Sequence, residues 1–344
     1  MIFHANSPTI TIMKKLTLFL LFTIICTAAF AQFQVVVPGA DGEAAFTYQA
    51  NAPDPVIRQL PREITSRRQN APLEFIQLLA DYINEKAECE YDKVKKVHDW
   101  VALNIRYDTQ SYFSGRYAPQ DFTSVIRRGN AVCAGYAEVF KYICDILKIE
   151  CNIINGYARG YSSSLFRFTD VTNSNHAWNM VTINGKSYLI DTTWNAGYVS
   201  GQGFQAKYRT DYLFINPAIF IYDHLPTYSV HQLLEQPLSA EEFDNLPFLK
   251  PEFFQSVKSW PQELTRITEI TEEDILEFEM NEGYELNYIW FTQSGTRISS
   301  HFPARIARFG IPKQRTGRLL LRIYVKKPGD RMYWSCGEFG FQIK

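Results

Sequence analysis

The spacing of apolar positions changes character partway along this chain. From Pro72 onward it is helical. Phe75, Leu78, Leu79, Tyr82 and Ile83 recur three and four residues apart on one face, with Pro72 at the opening turn. Val94, Val97, Val101 and Ile105 predict a second helix that ends near Arg106-Tyr107-Asp108. Residues 108–129, rich in Ser, Gly, Pro and Tyr, read as a loop. A third helix starts near Asn130 and buries Tyr136, Val139 or Phe140, Ile143 and Leu147. The period then shortens to two. Cys151–Tyr157 reads as a strand, and His176–Ile183 and Lys186–Asp191 as a pair joined by Asn184-Gly185, a strong hairpin signal. Counting outward from that turn, Ile183 pairs with Lys186 and His176 falls opposite position 193. The stretch 197–207 reads as a Gly-rich loop bordering a cleft, and 211–256 as short helices and turns. Beyond Trp260 the alternation is that of strands, which predicts a small all-β sandwich.

The ends complete the layout. Lys14-Lys15, the apolar run 16–25 and Thr27-Ala28-Ala29-Phe30-Ala31 have the order of a signal peptide cleaved after Ala31, with Met13 as the natural start. The run is too short to span a bilayer. Cys26 lacks the small residues that precede a lipoprotein cysteine, so no stable membrane anchor is expected after cleavage and the mature chain is expected in the periplasm or secreted. Residues 32–70, with Pro38, Pro53, Pro55 and Pro61, read as an extended lead-in segment. The expected boundaries are thus 1–31 for the leader, 32–70 for the lead-in, 71–258 for a mixed α+β domain and 259–344 for a β-sandwich-like domain.

Composition narrows the function. A formal net charge of −1 offers no basic footprint for nucleic acid. Aromatic residues, 15% of the chain, suit large cores and a surface that contacts peptide or sugar. Removing Cys26 leaves Cys89, Cys133, Cys144, Cys151 and Cys336, an odd number. Cys144 and Cys151 are one possible pair among several in an oxidising compartment. No C-x-x-C or clustered His/Cys pattern suggests a metal, and no cofactor is expected.

The chemistry concentrates on three residues. Cys133 opens the third helix in Val132-Cys133-Ala134-Gly135-Tyr136; His176 follows 43 residues later and Asp191 another 15. The hairpin brings His176 and Asp191 together on adjacent strands. A thiol needs to be ionised to attack, and a helix N-terminus together with an imidazolium lowers its pKa. Asp191 would hold the His176 tautomer, and the Cys133 amide would supply one oxyanion donor. Trp178 shares a strand face with His176, and either Trp178 or Trp194 could shield the pair from water; both are candidate substrate or oxyanion contacts. Each residue alone has a plainer reading. A cysteine in a first helical turn is usually a small core residue, and a lone strand histidine is usually structural. Their joint order favours a Cys-His-Asp triad. His98 is read as a packed or solvated helix residue, and His224 and His231 as loop or structural residues.

At these positions the chain resembles the transglutaminase-like superfamily of papain-type cysteine enzymes. The matching pieces are Val132-Cys133-Ala134-Gly135-Tyr136-Ala137, His176-Ala177-Trp178-Asn179 and Asp191-Thr192-Thr193-Trp194, with Asn104-Ile105-Arg106-Tyr107-Asp108 upstream. Asp211-Tyr212-Leu213-Phe214, Phe220-Ile221-Tyr222-Asp223-His224-Leu225-Pro226 and Gln232-Leu233-Leu234 are similar to the kyphoscoliosis-peptidase and cytokinesis-protein branch. The resemblance covers roughly 75–255. It implies an α+β papain-like core, helices packed on an antiparallel sheet, with Cys133 as nucleophile, His176 as base and Asp191 as orienting carboxylate. It also implies acyl transfer through a thioester to water, as in a peptidase or amidase, or to an amine, as in a transamidase that crosslinks proteins. A non-catalytic peptide-binding module on the same fold is the third function class. The expected partner is a protein or peptide substrate, cell-wall peptide being one source. No calcium loop of the animal transglutaminase kind is evident.

Overall fold

The computed structural model describes residues 34–344 apart from 162, 168, 202, 301–303, 314–316 and 328. The expected leader therefore lies outside the described residues. Among these, no helix is long and apolar enough to cross a membrane.

The three expected helices form as Pro72–Lys86, Glu90–Asn104 and Cys133–Ile146. They bury one continuous apolar cluster that includes Phe75, Leu79, Trp100, Tyr136, Phe140 and Ile143. Both alternatives in the third helix, Val139 and Phe140, are fully buried. This helix lies against a five-stranded antiparallel sheet ordered Leu213–Ile215, Lys186–Ile190, His176–Ile183, Glu150–Ala158, His224–Pro226. The hairpin register holds, with Ile183 opposite Lys186 and Asn179 opposite Ile190. Asn184 and Gly185 take φ of 51° and 77°, as a turn matched to strand twist requires.

Three expectations change. The lead-in is not extended: it folds as a hairpin, Gln34–Pro38 with Ala44–Gln49, and two single-turn helices, Pro55–Arg58 and Arg62–Thr65. The cause is local alternation. Val37 and Tyr48 face inward and join Ile57 and Ile64 in the main core, while the Tyr48 hydroxyl donates to Leu213 O at 3.1 Å. Residues 108–129 are not a plain loop, because Asp108 and Asp121 each accept a backbone N–H and start the helices Thr109–Ser114 and Phe122–Arg128. Each of these ends at a left-handed glycine, Gly115 and Gly129. The Gly-rich stretch 197–207 forms a second hairpin, Gly197–Ser200 with Gly203–Ala206.

The β-rich region that follows is built from two sheets. One has six strands: Phe248–Leu249, Trp334–Ile343, Gly317–Lys326, Glu285–Thr292 and Arg297–Ser300 in order, with Ile267–Ile270 parallel to Trp334–Ile343. The other has Val257–Ser259, Ile275–Met280 and Ile306–Gly310. Phe278, Trp290, Phe339 and Phe341 fill the space between them. Phe248, Leu249 and Val257 already pair into these sheets, and Phe253 is buried in the same core, so the β region draws in residues before 259. Arg159, just past the end of a central-sheet strand, fastens the segment that leads into the β-rich region. Its guanidinium donates to Phe243 O at 2.5 Å and to Tyr222 O, Leu246 O, Pro247 O and Asp244 O at 3.0–3.3 Å. The chain is thus mixed α+β, a papain- and transglutaminase-like core followed by a β-rich region.

Candidate active site

Cys133 is the first residue of its helix, where Val132 offers no side-chain cap. Gly135 N and Tyr136 N close the first turn on Val132 O at 3.0 and 3.2 Å, while the Cys133 amide has no acceptor within its own helix. Gly135 permits this turn to press against its neighbours. A Cβ there would lie 2.6 Å from the Ala131 Cβ and 2.6 Å from the Gln120 Oε1. Gln120 Oε1 in turn accepts from Val132 N at 3.1 Å, anchoring the loop that leads into the nucleophile helix.

His176 opens its strand, and its Nε2 lies 2.7 Å from Asp191 Oδ2. Asp191 follows directly on the partner strand and caps the short helix Thr192–Ala196, so it is a helix cap and not a strand residue as the sequence suggested. That cap takes Oδ1, which accepts from Trp194 N at 3.1 Å. Oδ2 is left for the imidazole. With Nε2 committed to Asp191, Nδ1 is the nitrogen left for Cys133, whose charge acts on the imidazole.

The electrostatics follow from this placement. Burial by itself would raise the Cys133 thiol, but the positive charge of His176 and its hydrogen bond outweigh that and hold the pKa below its ordinary value. Burial would likewise depress His176; the charges of Asp191 and Cys133 prevail and raise it to about 10. Asp191, completely buried, is kept well below the carboxylate range by His176 and then His224, against desolvation. Each charge thus favours the other, the imidazolium drawing the thiol down and the thiolate drawing the imidazole up.

His224 is the residue that the sequence reading placed elsewhere. It is fully buried, with Nε2 3.1 Å from the same Asp191 Oδ2 and Nδ1 2.5 Å from Asp223 Oδ1. Asp223 Oδ2 accepts from the Tyr212 hydroxyl at 2.6 Å. The array therefore runs Cys133, His176, Asp191, His224, Asp223, Tyr212. What brings His224 in is the pairing of His224–Pro226 with Glu150–Ala158, which requires Gly156: a Cβ there would meet Leu225 O at 2.2 Å. His224 stacks on Phe220, centroids 4.0 Å apart and planes at 13°. The Asp223-His224 dipeptide, a carboxylate beside an imidazole, was the available signal.

The two tryptophans differ. Trp194 lies 5.6 Å from His176, ring to ring, and faces the cleft. Trp178 lies 6.0 Å from His176 but is fully buried against Phe220 and His224, and its indole N–H has no partner. His98 is fully buried and not solvated. Its Nδ1 meets Asp99 Oδ1 at 2.9 Å and its Nε2 meets Asn195 Nδ2 at 2.9 Å, and burial lowers its pKa, so it stays neutral. All five cysteines from Cys89 onward are free thiols, Cys144 and Cys151 included.

The cleft has a volume of about 720 Å³, with His176 in its lining. Trp194, Tyr107, Tyr112, Tyr161 and Phe204 form an aromatic wall, while Lys250, Arg322 and Trp334 come from the β-rich side. His176, Asp191 and His224 offer ligand atoms within 4.8 Å of one another. Both imidazoles already meet Asp191 Oδ2, so a cation would have to displace two hydrogen bonds to a single oxygen. The donor set fits a proton-holding array better than a metal.

Residues 62–192 match the profile of the transglutaminase-like superfamily. Mouse kyphoscoliosis peptidase is 29% identical over 180 residues, covering 52% of this chain and 27% of that protein. Cytokinesis protein 3 of Schizosaccharomyces pombe is 26% identical over 225 residues, covering 65% of this chain and 25% of its own length. The chain thus spans about a quarter of the curated relatives it matches. A solved structure described as a TGase aligns with a TM-score of 0.30 at 22% identity, covering 44% of this chain and 38% of that one. Residues 62–192 hold Cys133, His176 and Asp191, and this chain carries a domain of the transglutaminase-like superfamily, distantly homologous to kyphoscoliosis peptidase and cytokinesis protein 3.

Proposed function

We propose that the chain is an exported cysteine-dependent acyl-transfer enzyme acting on protein or peptide amides, with hydrolysis as its main outcome. The observation that carries this reading is the His176 Nε2 to Asp191 Oδ2 contact of 2.7 Å, beneath a thiol at a helix N-terminus whose pKa His176 depresses. The Cys133 thiolate adds to the amide carbonyl. The C–N bond then breaks as imidazolium His176 gives its proton to the departing amine, leaving a thioester. Water attacks that thioester, His176 takes the water's proton, and the thiolate is released with a carboxylic acid as product. The Cys133 amide, without an acceptor in its own helix, is placed to donate to the oxyanion. An amine replaces water in the transamidase reading, which the aromatic cleft wall favours because it limits free water near the thioester. Export rests on the leader pattern of 13–31, and cell-wall peptide is one substrate source consistent with it.

The test is to incubate the protein with peptide amides and a labelled primary amine, then follow released carboxylate, incorporated amine and the acyl-enzyme mass. Acylation at Cys133, lost in Cys133→Ala and His176→Ala, supports the reading; incorporated amine exceeding hydrolysis selects the transamidase. No acyl-enzyme with any substrate moves the assignment to a peptide-binding module.

A further inference from the structure

The charged groups of the cleft are unevenly paired. Arg209 is engaged by Glu252 and by Asp211 at 3.2 Å, and Arg322 by Glu338 at 2.6 Å. Asp223 is taken by His224 and Tyr212. Two cations in the same lining, Lys207 and Lys250, have no carboxylate within ion-pair distance among the described residues. Lys207 rests its ammonium 3.2 Å from the centroid of the Trp334 ring, and Lys250 is open to solvent on the wall just before the helix Pro251–Ser256. The two come from different parts of the chain, Lys207 following the hairpin of the α+β core and Lys250 following a strand of the β-rich region, and Arg209 is a neighbouring charge of both.

The Lys207 ammonium is held in a setting that works against its charge. Burial and the nearby charge of Arg209 lower Lys207 to about 8. Lys250, exposed on the same lining, has Arg209 and Glu338 as its charged neighbours, and Glu338 is held by Arg322. A cation kept in a crowded cleft without a counterion is costly unless a ligand supplies the missing charge. Glu252 and Glu338 cannot, because each already serves an arginine.

We propose that Lys207 and Lys250 form a carboxylate-binding subsite, so that the cleft selects peptides carrying an acidic side chain or a free C-terminal carboxylate near the bond that is acylated. This inference rests on the acyl-transfer reading only in taking the cleft as the seat of the substrate. The indole of Trp334 holds the Lys207 ammonium by its face, leaving the N–H bonds on the far side for a carboxylate. Lys250 offers three donors on a flexible stem and adapts to either source of the carboxylate. The β-rich region thereby contributes to specificity as well as to fold.

The test is protection of Cys133 against iodoacetamide, read at that residue by site-resolved mass mapping on the full, pre-reduced chain at low salt. The probes are Ac-Ala-Ala-Glu-Ala-Ala-amide, its Gln counterpart with the same amide, and Ac-Ala-Ala-Gln-Ala-Ala with a free C-terminus. At least one carboxylate peptide should protect at a concentration about tenfold below the neutral one, as a charge-assisted contact in a cleft implies. That preference should fade in Lys250→Gln and Lys207→Gln and as salt is raised. The Glu and free-terminus arms identify which carboxylate is used. Equal protection by the neutral peptide, a preference unchanged in both variants, or protection by none of the three overturns the subsite. Lys250 is solvent-exposed, so Lys250→Gln keeps the test valid even where Lys207→Gln disturbs packing. Protection requires no turnover, so a chain that binds carboxylates yet acylates nothing refutes the enzyme and leaves the subsite standing.

Discussion

Replacing His176 with Ala removes the cation that the site uses to ionise its thiol. Burial raises Cys133, and the charge of His176 is the largest influence pulling it below its ordinary 9.0. Without that charge the remaining strong influences, burial and the negative charge of Asp191, both raise it, with only the Ala177 amide opposing. At pH about 6 an ordinary thiol near 9 is roughly 0.1% thiolate, so measured against a fully ionised sulfur the loss is on the scale of about a thousandfold. A more acidic thiolate is also a weaker nucleophile, with a Brønsted slope of about 0.4–0.5, which offsets about half of that factor on a logarithmic scale. The expected fall in alkylation rate at pH 6 is therefore about thirtyfold, close to 2 kcal/mol in barrier. The assay is iodoacetamide labelling of pre-reduced protein, quantified separately at each cysteine. Cys89, the other thiol that is not fully buried, serves as the internal reference. A fall of less than about threefold at Cys133, or an equal fall at Cys89, refutes the thiolate–imidazolium pair.

Stability should carry the signature of the same pair. His176 has a raised pKa, so its contribution is complete below its ordinary 6.5 and is lost as pH rises through about 10. The Cys133 thiol titrates in the same window, so the comparison is made in a Cys133→Ser background; there melts between pH about 7 and 10 should fall more steeply with His176 present than with His176→Gln, and equal slopes would contradict the raised pKa. His224→Phe keeps the stack on Phe220 but deletes the contacts to Asp191 and Asp223, and should cost about 3 kcal/mol in denaturant unfolding. A cost under about 1 kcal/mol would mean that Asp191 does not depend on His224. Gly156→Ala should cost about 3 kcal/mol, because its Cβ would meet the Leu225 carbonyl and the Trp178 ring, and it should slow Cys133 alkylation by displacing the strand that bears His224. An unchanged rate together with unchanged stability would show that the two strands need no close approach there.

The parts of the site that sequence made legible are those whose geometry is local. A helix start places Cys133, and one tight turn, Asn184-Gly185, sets the register that carries His176 to Asp191 across two residues of chain reversal. Period alone identified the helices, because their apolar faces meet a single core. Short-range capping was misread where polarity masked it. Asp108 and Asp121 begin helices of six and seven residues, too short to show an apolar stripe. The lead-in was misread for a related reason, since its four prolines suggested an extended chain while Val37 and Tyr48 were the residues that decided its packing.

His224 shows where such reading stops. Nothing within its own segment says what it faces, because its position depends on a strand pairing with residues nearly seventy positions earlier, at Gly156 and Ala158. Once that pairing is made, the chemistry follows from donor counting. Asp191 has two oxygens; the cap of the following helix uses Oδ1, and Oδ2 receives both His176 and His224. His224 has a carboxylate oxygen at each ring nitrogen, Asp223 Oδ1 at 2.5 Å from Nδ1 and Asp191 Oδ2 at 3.1 Å from Nε2. The contacts of His176 and then His224 hold the Asp191 carboxyl below the usual carboxylate range, and so preserve the charge on which the His176 imidazolium depends. The triad is thereby extended into an array in which each polar group is held by the next. The nucleophile at one end and Tyr212 at the other are joined through two histidines that share one oxygen.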